Sequence, residues 1–249
     1  MNRVCRSIRR SSWLGVLLFC VVVARAGTGT NAFQLGKVAY EQQNFPLAAQ
    51  LFGEAVTNQP AAGTFQNLGN AEWQNGRPAE AIIAWERAVS LNPWASEAEN
   101  NLKFAREKAQ LEAPELTWCE IAAGWLPANW WAGLAGGSFW FAVAMMLVPG
   151  VLRRRKSATQ QALVALGLGI FLLTLPANYG VVTRARIGFV LEAETPLRLT
   201  PTAEAEAVTK LAAGEPGRMV RGRGNHVLIQ TRRASGWVAR EKFVLTCPE

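Results

Sequence analysis

The sequence predicts a multi-domain membrane protein: an all-α module of stacked helical hairpins, a two-span transmembrane helical hairpin, and a small all-β module. Three observations carry this. Five positions recur 33 residues apart before residue 94, and two uncharged runs of about twenty residues flank a cluster of four basic residues. Short apolar alternations broken by Thr, Pro and Gly fill the C-terminal quarter. Half the residues are hydrophobic and they concentrate in runs, which is the composition of a membrane protein.

Residues 1–26 read as a secretory signal. Met1–Arg10 carries four arginines and no acid, Trp13–Ala24 is an apolar stretch of 12, and Ala24-Arg25-Ala26 has the small-x-small form of a signal peptidase site. The alternative is an uncleaved anchor helix, and either leaves the downstream topology the same. Cleavage after Ala26 removes five of the 26 basic residues and no acid, bringing the charge from +8 to 21 minus 18, or +3.

The recurring pairs are Gly36 and Gly69, Ala48 and Ala81, Phe52 and Trp85, Ala55 and Ala88, and Pro60 and Pro93, in repeats spanning 31–60 and 65–93. Small residues let the two helices of a hairpin approach, the aromatic fills the gap, and the proline stops the second helix. Leu35 and Leu68 precede each glycine, with Tyr40 and Trp73 one turn later. This is the pattern of the tetratricopeptide repeat. A capping helix is expected over 95–110, because Asn67-Leu68-Gly69-Asn70-Ala71 is echoed as Asn101-Leu102-Lys103-Phe104-Ala105. Ala98, Leu102, Ala105 and Ala109 would form its apolar face, with Glu97, Arg106, Glu107 and Lys108 in water. Glu54, Glu72, Glu80 and Glu86 fall where solvated helix faces are expected.

Trp118, Trp125, Trp130 and Trp131 mark an interfacial segment over 113–129, with Ile121, Ala122, Trp125 and Leu126 suggesting a short surface helix. The first expected span, 130–152, would be about 34 Å long as a helix, enough to cross a bilayer. Arg153-Arg154-Arg155-Lys156 follows, in a loop over 153–160, and the second span is expected over 161–183. The positive-inside rule puts the basic loop in the cytoplasm and both flanking modules outside it. Gly133 with Gly137, and Ala165 with Gly169, are small-xxx-small pairs through which the spans could touch each other or a partner's. Neither span carries a charge, which disfavours an ion path.

From Ile187 the pattern is that of strands: Phe189-Val190-Leu191, Pro196–Leu199, Met219-Val220, Val227–Ile229, Trp237-Val238 and Phe243–Leu245. Leu197-Arg198 with Pro201, Leu211 with Gly214, and Gly236-Trp237-Val238 resemble a bacterial SH3-like barrel over 187–249. Where such domains carry a second tryptophan in the middle strand, this chain has His226-Val227. That departure weakens any inference of wall binding, which leans on exposed rings.

All eighteen acids are Glu, and His226 is the single histidine. An EF-hand, a Ser-His-Asp triad and a histidine zinc site therefore lack their residues, and catalysis, cofactor and metal binding are not expected. Beyond the leader only Cys119 and Cys247 remain, the candidate disulfide of the extracytoplasmic side. Residues 27–117 carry net −4 and residues 184–249 net +4, so the end modules could attract each other. So modest a basic excess, in that compartment, does not imply nucleic acid.

The order of leader, two repeats, surface tryptophans, two-span hairpin and β tail resembles the BatE-type tetratricopeptide proteins of bacterial aerotolerance operons. The residues that carry it are Asn67–Ala71, Gly76, Ala81-Ile82, Trp85–Ala88, Leu91-Asn92-Pro93 and Asn100-Asn101-Leu102. The resemblance implies a place in a stress-related or envelope complex at the inner membrane, and with catalysis not expected the leading reading is a non-enzymatic membrane-anchored scaffold. Its partners would be BatA/BatB-like membrane proteins with von Willebrand factor A domains and, through them, a MoxR-type ATPase. First helices line the concave face in this family, which makes Lys37, Tyr40, Asn44, Asn67, Asn70, Trp73 and Asn101 the candidate peptide contacts. The alternative for these residues is packing between helices and satisfying turns. The alternative function is a cell-wall, peptidoglycan-binding module acting through the tail.

Overall fold

The computed structural model describes residues 27–151, 157–202 and 204–246. The expected signal segment, the basic cluster at 153–156 and Cys247 lie outside the described residues. Five helices come first: α1 (Gly27–Glu41), α2 (Phe45–Asn58), α3 (Ala62–Gln74), α4 (Pro78–Leu91) and α5 (Ser96–Ala109). Each pairs with its neighbour. Asn44 caps α2 through its side chain, prolines open α2 and α4, and Pro60 and Pro93 stand just past their ends. Gly36 and Gly69 are where the hairpins close, since a Cβ would lie 2.8 Å from the Phe52 ring in one and 2.5 Å from the Trp85 indole in the other.

After a linker comes α6 (Trp118–Ala123), capped by a reciprocal Thr117–Glu120 box, then α7 (Ala128–Val151) and α8 (Ala158–Arg184). α7 and α8 are long and apolar enough to cross a membrane, at roughly 36 and 40 Å. They lie against each other through Ala142 and Gly167. A Cβ on Gly167 would sit 3.0 Å from that of Ala142, whereas Gly133, Gly137 and Gly169 face open space. The two helices thus meet through neither small-xxx-small pair, the contact at Gly167 lying two residues from Gly169, about 200° around a helix. Asn178 Nδ2 donates across the pair to the Trp131 carbonyl at 3.2 Å. Their remaining surface is apolar and outward-facing, with Met146, Leu173 and Val182 well exposed.

The tail is a seven-stranded antiparallel sheet: β1 (Ile187–Val190), β2 (Thr195–Arg198), β3 (Ala207–Leu211), β4 (Pro216–Arg223), β5 (His226–Gln230), β6 (Ser235–Ala239) and β7 (Phe243–Leu245). Its order is β3-β2-β6-β5-β4-β1-β7, with a 3₁₀ turn at Arg240–Lys242 before β7. Val190, Leu197, Leu211, Val227, Ile229, Val238 and Phe243 fill its interior.

The tail docks on the second repeat. Ile187 and Phe189 share one buried cluster with Ile82, Ile83, Trp85 and Leu102. Gly214, at φ 81°, brings the backbone so close that a Cβ would lie 2.8 Å from Ile82 Cδ1. The Arg87 guanidinium donates to the carbonyls of Thr246 (2.8 Å) and Leu245 (3.0 Å).

Candidate functional site

The candidate site is the face of the first helices, and it is built at the junction of α3 and α5. Trp85 points from α4 into the gap left by Gly69, and its Nε1 donates to Asn70 Oδ1 at 3.0 Å. The same oxygen accepts from Asn101 Nδ2 at 2.9 Å. One carbonyl therefore joins three helices. Gln66 and Glu97 add a second polar bridge between α3 and α5.

Trp73 packs beside this bridge, 5.8 Å from the Trp85 ring and edge-on to Phe104 at 5.7 Å. The Lys108 ammonium lies over both outer rings, 5.5 Å from Trp73 and 5.8 Å from Phe104. Trp73 is half-buried and Phe104 is 54% exposed, so the pair offers an apolar surface topped by a cation. An extended peptide with an apolar side chain and a neighbouring carboxylate fits that chemistry.

The structure brings Asn70, Trp73 and Asn101 together, with Asn67 half-buried on α3. Lys37 and Tyr40 stand apart on α1, the former exposed and the latter edge-on to Phe45 at 5.4 Å. Asn44 caps α2, accepting from the Leu47 N–H at 3.3 Å. The missed residues are Phe104 and Lys108. Phe104 stands 34 residues after Asn70, so the echo that revealed α5 also marked its place.

Two expectations are corrected. Glu86 is buried rather than solvated because α5 covers it and Arg106 supplies its counter-charge, which also draws Arg106 out of water. Ala109 is exposed, since α5 ends there and the chain turns through Gln110 in the left-handed region. Burial, partly offset by Arg77, holds the Glu72 carboxyl above its ordinary range. Glu54 is exposed and Glu80 half-buried. No group of three metal-ligating side chains occurs among the described residues. Cys119 is buried and bonds no other cysteine among the described residues.

Asn70→Ala is expected to destabilise the repeats by about 1–3 kcal/mol, the cost of leaving the Trp85 N–H buried without its acceptor. Thermal unfolding followed by far-ultraviolet circular dichroism reads it directly.

A second site of contact joins the linker, α6, α8 and tail. Arg218 on β4 grips Glu120 in a fork, Nη1 to Oε1 at 2.6 Å and Nη2 to Oε2 at 2.9 Å. It also donates to the carbonyls of Thr183 (3.3 Å) and Glu115 (3.2 Å). Glu120 is fully buried. Burial pushes its carboxyl up, but donation from Arg218 and the Thr117 N–H, aided by Thr183, outweighs it and leaves the pKa at about 2. Nearby, Arg232 pairs with Glu112 and Glu115 at the surface. A cleft of about 480 Å³ opens between the linker and β4, lined by Leu111, Pro114, Leu116, Pro216, Arg218 and Arg233 among others.

Residues 33–93 match the family model described as tetratricopeptide repeat. None of the curated proteins compared with the chain matches it. Modules of this kind are typically non-catalytic and mediate protein–protein contact. The matched segment folds as stacked hairpins closed by glycine–aromatic contacts, and the chain is therefore a protein that carries tetratricopeptide repeats.

Proposed function

We propose that the protein is a non-enzymatic scaffold, anchored in the membrane by α7 and α8, whose repeats capture a segment of another protein outside the cytoplasm. The observation that carries this reading is the division of labour between the repeat faces. The second helix of the second repeat is occupied by the tail, while the first helices keep Lys37 exposed and hold Phe104 exposed beside the Lys108 cation. Anchoring is supported by the outward apolar surface of the paired long helices and by exposed Trp118, Trp125 and Trp130 at one end. The SH3-like reading of the tail is supported by its sheet order and by the 3₁₀ turn ahead of the last strand.

The partners proposed from the BatE-type resemblance are membrane proteins with von Willebrand factor A domains, in an envelope or stress complex with a MoxR-type ATPase. Wall binding through the tail is the weaker reading. Trp237, the ring it would need, is 5% exposed and lies beneath the Arg221 guanidinium at 5.3 Å.

A photo-crosslinking phenylalanine analogue at position 104 or 37 tests the groove in native membranes, with position 208 on β3 as control. Adducts from 104 and 37 that contain a von Willebrand factor A protein are expected. Adducts with another protein would retain the scaffold and remove this partner, and absence of adducts from both groove positions would remove the scaffold. Sedimentation of the full-length protein with purified wall would revive the alternative.

A further inference from the structure

We infer that the turn after the second repeat is itself a membrane contact, with Trp94 seated in the lipid headgroup layer. This rests on the reading of α7 and α8 as spans. Trp94 follows Pro93 at the end of α4, yet its ring meets that of Trp130 edge-on at 6.2 Å, and Trp130 is the third residue of α7. Both rings remain largely exposed, Trp94 at 61% and Trp130 at 57%. The repeat module therefore reaches the end of the first long helix with an uncovered indole.

The height of that end is set by independent contacts. Asn178 of α8 bonds the Trp131 carbonyl, and the Trp131 indole donates to the Ala123 carbonyl of α6 at 3.0 Å. Tyr179 beside Asn178 is exposed at the same level. Rings gathered at one level of two apolar helices are what the polar layer of a bilayer takes, because an indole buries a flat apolar body and keeps its N–H in contact with headgroups and water. That layer is about 5–8 Å deep on each side, and the 6.2 Å between the two ring centres is comparable to that depth.

The turn is built to hold this pose. Asn92 Oδ1 accepts the Trp94 backbone N–H at 3.2 Å, the Ala95 N–H bonds the Asn92 carbonyl at 3.1 Å, and the Ser96 N–H bonds the Trp94 carbonyl at 3.0 Å. With the tail fixed at the end of α8 and Trp94 at the start of α7, the repeats rest on the membrane at a set tilt. Their groove is then presented at a fixed angle to the bilayer and to partners anchored in it.

The test uses the full chain labelled with 5-fluorotryptophan in phosphatidylcholine nanodiscs, with Trp94→Phe and Trp130→Phe assigning the two ¹⁹F lines. Lipid bearing a nitroxide on its headgroup is expected to broaden both lines beyond detection and to spare the line of buried Trp237. Loss of the Trp130 line with a sharp Trp94 line would overturn the inference and leave anchoring intact. Retention of both lines would overturn the anchoring as well.

Discussion

Arg218→Ala is expected to release the tail from α6 and α8, lowering the stability of that junction by about 3–5 kcal/mol, the range for breaking a buried ion pair by removing one partner. The size follows from what is left behind. Glu120 has no exposed surface, and without the fork its carboxylate keeps only the Thr117 donor observed at 2.8 Å and the Thr183 side chain. Arg218→Lys retains the charge but not the two parallel donors, and falls between. Hydrogen exchange at β4 and α6 is the measurement, because these segments should open together in the variant while α2 does not change. Exchange at wild-type rates in Arg218→Ala would show that apolar packing alone holds the tail.

The same pair gives the junction a pH dependence of definite sign. The Glu120 carboxyl titrates at about 2 when folded, below its ordinary value of 4.5. Its contribution is therefore fully present above pH 4.5 and is lost as pH falls from there toward 2. The tail is expected to loosen in that acid window in the wild type, and Glu120→Gln to remove that part of the pH dependence.

Much of this architecture was legible because it rests on local rules. The glycine–aromatic pairs named the hairpins, and hydropathy named the two long helices. Six of seven strands carried apolar alternation. β3 did not, because it is an edge strand whose residues, Val208 included, are mostly exposed. What the sequence could not reveal was contact between modules, since a partner 98 residues away leaves no periodicity. The hint was charge, net −4 over residues 27–117 against net +4 over residues 184–249, which names no pair of residues. At the groove, Asn70 and Asn101 were identifiable by type and spacing, yet their amides turn toward Trp85 and each other. The exposed aromatic is instead Phe104, which occupies in the cap the place Asn70 holds in the second repeat.

Trp85→Ala is expected to cost the repeat module about 3–5 kcal/mol, the range for removing a large buried aromatic, and to unlock two interfaces at once. The ring is 2% exposed, shares its cluster with Ile187 and Phe189 of the tail, and supports the Trp73–Phe104 pair from beneath. Thermal unfolding of the helices should shift down, and Trp94 should lose its place beside Trp130 as α4 loosens. A second substitution separates lost packing from general disruption. In the wild type Gly69→Ala forces a methyl against the indole and is expected to cost about 1–3 kcal/mol. In Trp85→Ala the methyl enters vacated space, so the same change should be neutral or stabilising. A coupling of opposite sign to the single effect marks two residues that compete for one volume. Simple additivity of the two losses would mean that the hairpin does not close through this contact.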